Sequence, residues 1–175
     1  VLAKAGYDRY EISNYAKPGY ECRHNIGYWT RENYLGLGLG AASLVDNVRY
    51  SNTRELDEYT AICHDLTILP PEAFAPEDGM AAPERNWFGS NLHTEASVVS
   101  RKSQMEEFMF LGLRMTDGIA RDEFEHNFGM PIEAAYVQVL PELQAQGLIE
   151  KREGRIYLTD RGMDVANYVM AQFLL

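Results

Sequence analysis

The stretch "GLIEKREGRIYLTDRGMDVANYV", residues 147–169, decides how the second half of the chain is read. "LIEKREGRIYLT" has the form of a β-hairpin turning at Glu153-Gly154. Thr159 then supplies a hydroxyl suited to an N-cap, and Met163, Ala166, Val169 and Phe173 recur behind it at helical spacing. Upstream, Gly147 stands just past a helix carrying Ala135, Tyr136, Val139 and Leu143, with Pro131 suited to its first position. Pro141 inside that pattern should kink or split the helix, because its ring lacks an N–H and crowds the preceding turn. A short helix over 119–127 is stopped by Gly129. Before it, Met105, Phe108, Met109 and Gly112 line one face of another. Three helices, a β-wing and a closing helix make residues 101–175 a winged-helix-like domain.

Further upstream the signals change. "PPEAFAPEDGMAAPERNWFGSN" holds four of the seven prolines and has no clear period, so 70–100 reads as a Pro-rich linker and natural domain boundary. Residues 51–69 read as a connecting helix, with Asn52 and Glu55 as a capping pair and Leu56, Tyr59, Ile62, Cys63 and Leu66 at helical spacing. "SLVDNVRYS" predicts a hairpin with its turn at Asp46-Asn47. "YDRYEISNYA" (7–16) reads as a strand, "CRHNIGYW" (22–29) as a loop, and "NYLGLGLGAASLV" as a buried strand. The predicted class is α+β, strands first and helices after.

Composition narrows the function. The chain has 175 residues, is 46% hydrophobic and 24% charged, and carries no run approaching a membrane span. Nothing at its start resembles a signal peptide. Val at position 1, entering in the middle of an element, sets the expectation of a fragment of a longer, cytoplasmic protein. A net charge of -10, spread over both halves, speaks against nucleic acid. So does the helix a winged-helix regulator would place in the major groove: "IEAAYVQVLPELQAQG" contains no Lys or Arg. Cys22 and Cys63 form no C-x-x-C, and two cysteines cannot hold a four-cysteine iron–sulfur cluster.

Two constellations carry candidate chemistry. Gly36, Gly38 and Ala41 make a formal G-x-G-x-x-A, but a dinucleotide fingerprint needs a helix opening at the glycines, and a hairpin follows instead. In an extended strand Gly36, Gly38 and Gly40 would open one face to a close-lying backbone or a flat ligand, the alternative being plain packing in a barrel interior. The second constellation is "CRHNIGYW". His24 has three readings: an inert loop histidine, a zinc ligand, or a haem axial ligand. Zinc lacks company, since His64, His93 and His126 share no ligand spacing with it. Haem needs one strong bond from a neutral imidazole nitrogen and flat walls, which Tyr28 and Trp29 could offer, with Cys22 as a competing thiolate.

"GYDRYEISNYAKPGYECRHNIGYW", "YLGLGLGAAS", "RYSNTRELDEY", "EEFMFLGLRMTDGI" and "GLIEKREGRIYLTDRGMDVANYV" resemble, in order, the C-terminal portion of the radical S-adenosylmethionine (SAM) proteins related to oxygen-independent coproporphyrinogen III oxidase. The HNxxYW signature is similar to that of the haem-chaperone (HemW-type) branch. The resemblance implies a partial β/α barrel holding a [4Fe-4S] cluster and SAM, then a helical C-terminal domain. Residues 1–50 would be the last barrel strands. The cluster motif C-x-x-x-C-x-x-C is absent from this sequence, so no radical chemistry is expected of it alone. Carried over residue by residue, His24 is the implied haem ligand, with Asn25, Tyr28 and Trp29 completing its signature. Gly38, Gly40 and Ala42 fall on a segment that lines the SAM pocket. The function implied is haem chaperoning, with haem and an unidentified haem-acceptor protein as partners. The alternative is the oxidase, which decarboxylates porphyrinogen propionates by radical abstraction, and a winged-helix regulator is a third reading. The unpaired edges of excised strands leave a dimer or domain swap open.

Overall fold

A computed structural model describes residues 1–65 and 92–175. Residues 66–91, which hold the end of the expected connecting helix and most of the linker expected over 70–100, lie outside the described residues. By contacts the chain forms two compact units: residues 1–32 together with 101–175, and residues 33–100. Residues 1–32 therefore group with the C-terminal half rather than with the strands that follow them. In chain order the elements are β1 (Asp8–Arg9), β2 (Tyr15–Ala16), α1 (Arg23–Trp29), β3 (Ala42–Val45), β4 (Val48–Asn52), α2 (Leu56–Asp65) and β5 (His93–Val98). Then come α3 (Arg101–Gly112), β6 (Ile119–Ala120), α4 (Arg121–Phe128), α5 (Ile132–Ala135), α6 (Val139–Ala145), β7 (Ile149–Arg152), β8 (Arg155–Leu158), α7 (Asp160–Asp164) and α8 (Ala166–Ala171). Among the described residues no helix is long and apolar enough to cross a membrane.

The larger unit is built on turn chemistry. Glu153 and Gly154 both take positive φ (50° and 74°), the twist-matched geometry of a two-residue hairpin, and β7 pairs with β8 in an antiparallel register from Ile149↔Leu158 to Arg152↔Arg155. β6 adds to the other edge of β8, giving sheet order β6-β8-β7. Thr159 caps α7 by accepting from the Gly162 N–H at 3.0 Å. Gly162 is required at that position, because a Cβ there would run into the Leu148 carbonyl, so the closing helices lie directly on the start of β7. Gly129 ends α4 in the left-handed conformation, as its position predicts. Pro141 splits its helix into α5 and α6; it falls in the first turn of α6, where its missing N–H leaves nothing unsatisfied. Met109, Phe124, Ile132, Leu143, Ile156 and Phe173 are almost wholly removed from water and form one continuous core.

The smaller unit is a three-stranded sheet in order β3-β4-β5, with α2 between β4 and β5 in the chain. Asp46 and Asn47 turn the β3–β4 hairpin with φ of 49° and 62°, as expected. Val48, Tyr50 and Asn52 alternate inward along β4.

Five local readings change. Residues 23–29 are a helix and not a loop. Of "YDRYEISNYA" only the two-residue strands β1 and β2 are extended, and Ile119 lies in β6 rather than opening a helix. Residues 93–98, the far end of the expected linker, pair with β4 as a full strand, because Val48↔Val98 and Asn52↔His93 complete its hydrogen bonding. The glycine run is strand only from Ala42 onward: Gly38 and Gly40 have φ of 102° and 65°, and Leu37 is 84% exposed. The three glycines therefore do not open one face of a strand.

Candidate functional site

The HNxxYW residues lie on α1, a seven-residue helix with Cys22 as its N-cap. Ile26 N–H donates to the Cys22 carbonyl at 3.0 Å, and the Thr30 hydroxyl closes the other end on the Ile26 carbonyl at 3.0 Å. So short a helix, with Gly27 in its interior, gains little from propensity and is held by its tertiary contacts. Helical spacing sorts the signature. His24 and Tyr28, four apart, share a face, and their rings meet edge to face at 4.7 Å between centroids. His24 is exposed, Asn25 and Tyr28 are half-buried, and Cys22 is an exposed free thiol.

Trp29, one residue further round, faces elsewhere. The Arg114 guanidinium lies over its ring at 4.2 Å. Arg114 in turn donates to Glu11 at 3.1 Å, and Glu11, fully buried, also accepts from the Ser13 N–H at 2.7 Å. Arg31 donates to Glu107 of α3 at 2.8 Å, both side chains being about nine-tenths buried. Trp29, Arg31 and Phe108 line a cavity of about 60 Å³ with Gly112, Met115 and Ile119, and the indole N–H, buried beside it, has no hydrogen-bond partner among the described residues. Thus α1 presents His24 and Tyr28 outward and is anchored through Trp29 and Arg31. None of Glu11, Glu107 or Arg114 was singled out from sequence, where each reads as an ordinary surface charge.

The glycine segment belongs to the other unit. Asn52, buried on β4, is not a helix cap: its amide donates to the Gly38 carbonyl at 2.7 Å and the Gly36 carbonyl at 3.3 Å. Its amide oxygen faces His93 Nδ1 at 3.0 Å, so with both amide hydrogens committed to carbonyls the imidazole proton sits on Nδ1. Burial holds the His93 pKa below its ordinary value. The Thr53 hydroxyl accepts from the Glu55 N–H at 3.2 Å, turning the chain just ahead of α2. A side chain at Gly36 would strike the Ala42 carbonyl, whereas Gly38 opens on empty space, and Ala42 is exposed. Gly38 and Gly40 thus lie on a glycine loop held by Asn52, and Ala42 opens β3 just past it.

Among the described residues no three His, Cys, Asp or Glu side chains are arranged to hold a metal ion. With two cysteines in all, the sequence does not supply the ligands of a four-cysteine iron–sulfur cluster.

Residues 99–165 match the HemN C-terminal domain family. The chain is 37% identical over 175 residues to the protein named heme chaperone HemW of Lactococcus lactis subsp. lactis, covering all of this chain and 40% of that one. It is 56% identical over 174 residues to heme chaperone HemW of Escherichia coli K12, covering 99% of this chain and 40% of the relative. The fold is similar to that of the coproporphyrinogen III oxidase HemN of Escherichia coli, described as a radical SAM enzyme, with a TM-score of 0.63 at 15% identity over 99% of this chain and 38% of that one. The chain spans about 40% of the length of these curated relatives. Residues 99–165 are thus a HemN C-terminal domain, in a chain similar along its whole length to part of the proteins named heme chaperone HemW.

Proposed function

We propose that the chain is the part of a haem chaperone that binds haem through His24 and helps pass it to an acceptor protein. The observation that carries this reading is the exposed His24 with the half-buried Tyr28 ring against it, presented by a helix whose opposite end is anchored, in a chain related over its whole length to proteins named haem chaperones. An imidazole free to meet iron and an aromatic edge beside it are what an axial ligand and a porphyrin neighbour require. Asn25 borders the same face. Trp29 serves haem indirectly, as the anchor of α1, and Cys22 is the competing donor.

In the intact protein the segment that carries Gly38, Gly40 and Ala42 lines the SAM pocket, a role that the open space at Gly38 supports. The order of helices and strands over 101–175 supports the winged-helix-like description, and the protein works in the cytoplasm. The oxidase is the second reading; the structural likeness to HemN supports it at the level of fold.

The test is a haem titration followed at the Soret band, on the protein and on His24→Ala. Saturable one-to-one binding that the variant loses supports the reading. Equal binding by both removes His24 from the axial role and turns attention to Cys22. Product formation from coproporphyrinogen by the reconstituted intact protein would favour the oxidase.

A further inference from the structure

Haem binding at His24 leaves the most expensive feature around α1 unexplained. Two carboxylates, Glu11 and Glu107, are buried in the larger unit, and a buried charge is tolerated only when paired and hydrogen-bonded. Both belong to contacts that end on α1 or just past it. Glu107, on α3, accepts from Arg31. Glu11 holds Arg114, two residues beyond α3, over the Trp29 ring. Arg31 also sits at φ 57°, a region that a residue with a side chain rarely enters and keeps only where its surroundings fix it.

These grips fall at Trp29 and Arg31, the C-terminal end of the helix, while His24 stands in its first turn. One helical residue is about 100° of rotation, so a helix held at Trp29 has its His24 direction set as well. If α1 turned or unwound, Trp29 would leave the guanidinium and Arg31 would leave Glu107. The charge cluster thus does to α1 what packing of an apolar face does to a longer helix.

We propose that Glu107 and Arg114 are positioning residues, which fix the rotation of α1 and thereby the direction from which His24 meets haem. This rests on the reading of His24 as the haem ligand. Neither residue touches haem.

The experiment compares haem affinity and the haem absorption and electron paramagnetic resonance spectra of the protein with those of His24→Ala, Glu107→Ala, Arg114→Ala and the inverted pair R31E/E107R. A core variant distant in sequence from α1, Leu143→Ala, controls for general loss of stability. The expected result is that Glu107→Ala and Arg114→Ala weaken binding by on the order of tenfold and shift the spectra toward those of His24→Ala. The inverted pair restores both, and Leu143→Ala leaves the spectra unmoved. If the inverted pair does not fold, Glu107→Gln replaces it, keeping shape and an acceptor for Arg31 and falling between the protein and Glu107→Ala. Wild-type spectra in Glu107→Ala and Arg114→Ala, with His24→Ala still altered, would overturn the positioning role and spare the haem reading. A Leu143→Ala shift as large as theirs would overturn it as well. No effect of His24→Ala would overturn both.

Discussion

Removing the Glu11 carboxylate should cost the larger unit about 3 kcal/mol, the low end of what breaking a buried ion pair costs. Glu11 is wholly buried and has two partners, Arg114 at 3.1 Å and the Ser13 N–H at 2.7 Å. In Glu11→Ala both lose their acceptor. Arg114 is not stranded completely, since its side chain is 24% exposed and still lies on the Trp29 ring, which keeps the loss at the lower end. Glu11→Gln keeps one oxygen, enough for the Ser13 N–H, but turns an NH2 donor toward the Arg114 guanidinium, which has nothing to accept with, so it should lose nearly as much as Glu11→Ala. The double variant E11L/R114M removes both charges and puts an apolar pair against the indole. It should come within about 1 kcal/mol of the parent, because a buried ion pair and a hydrophobic pair of similar volume stabilise similarly. Native-state hydrogen exchange at the Leu113 amide, which is bonded to the Met109 carbonyl in the core, reports on this unit alone. A cost below about 1 kcal/mol for Glu11→Ala, or a double variant as damaged as the single, would show that the pair is solvated and that the burial argument is wrong.

Two further outcomes follow from single groups. The Tyr136 hydroxyl is buried without a partner among the described residues, and burial, with the Glu106 charge behind it, pushes its pKa far above the ordinary value. Tyr136→Phe should therefore be neutral or stabilising by about 1 kcal/mol in urea unfolding, and a clear loss of stability would mean the hydroxyl is satisfied. His93, whose folded pKa lies below the 6.5 of an unfolded histidine, stays neutral while the unfolded chain takes up a proton. The smaller unit should lose stability as pH falls below about 6.5 and show no dependence from this group above it, with the slope flattened in His93→Gln.

What the sequence shows clearly is local. Asp46-Asn47, Glu153-Gly154, Gly129, Thr159 and Pro141 each act through a backbone rule that one or two residues satisfy, and each sits where the structure needs it. The glycine run misleads for a related reason. Alternating Leu and Gly have the period of a strand, yet nothing local says that Asn52, some fifteen residues on, will take the Gly36 and Gly38 carbonyls and bend the run into a loop. Strand β5 is hidden by its position after the Pro-rich segment, and only its partner β4 makes it a strand.

The site divides the same way. His24 and Tyr28 are legible as a pair once 23–29 is known to be helical, because the spacing of four then places them together. Trp29 is not, since the adjacent position points to another face, and its assignment depends on a cation 85 positions away in the chain. A glutamate in the stretch "QMEEFMF" offers no sign that one of its pair is buried: Glu106 and Glu107 are chemically identical, and helix phase against α1 decides which becomes the anchor. Where a helix is too short to hold itself, the residues that fix its direction are read from what it packs against and not from its own sequence. That is why the candidate ligand can be found from sequence while the groups that aim it cannot.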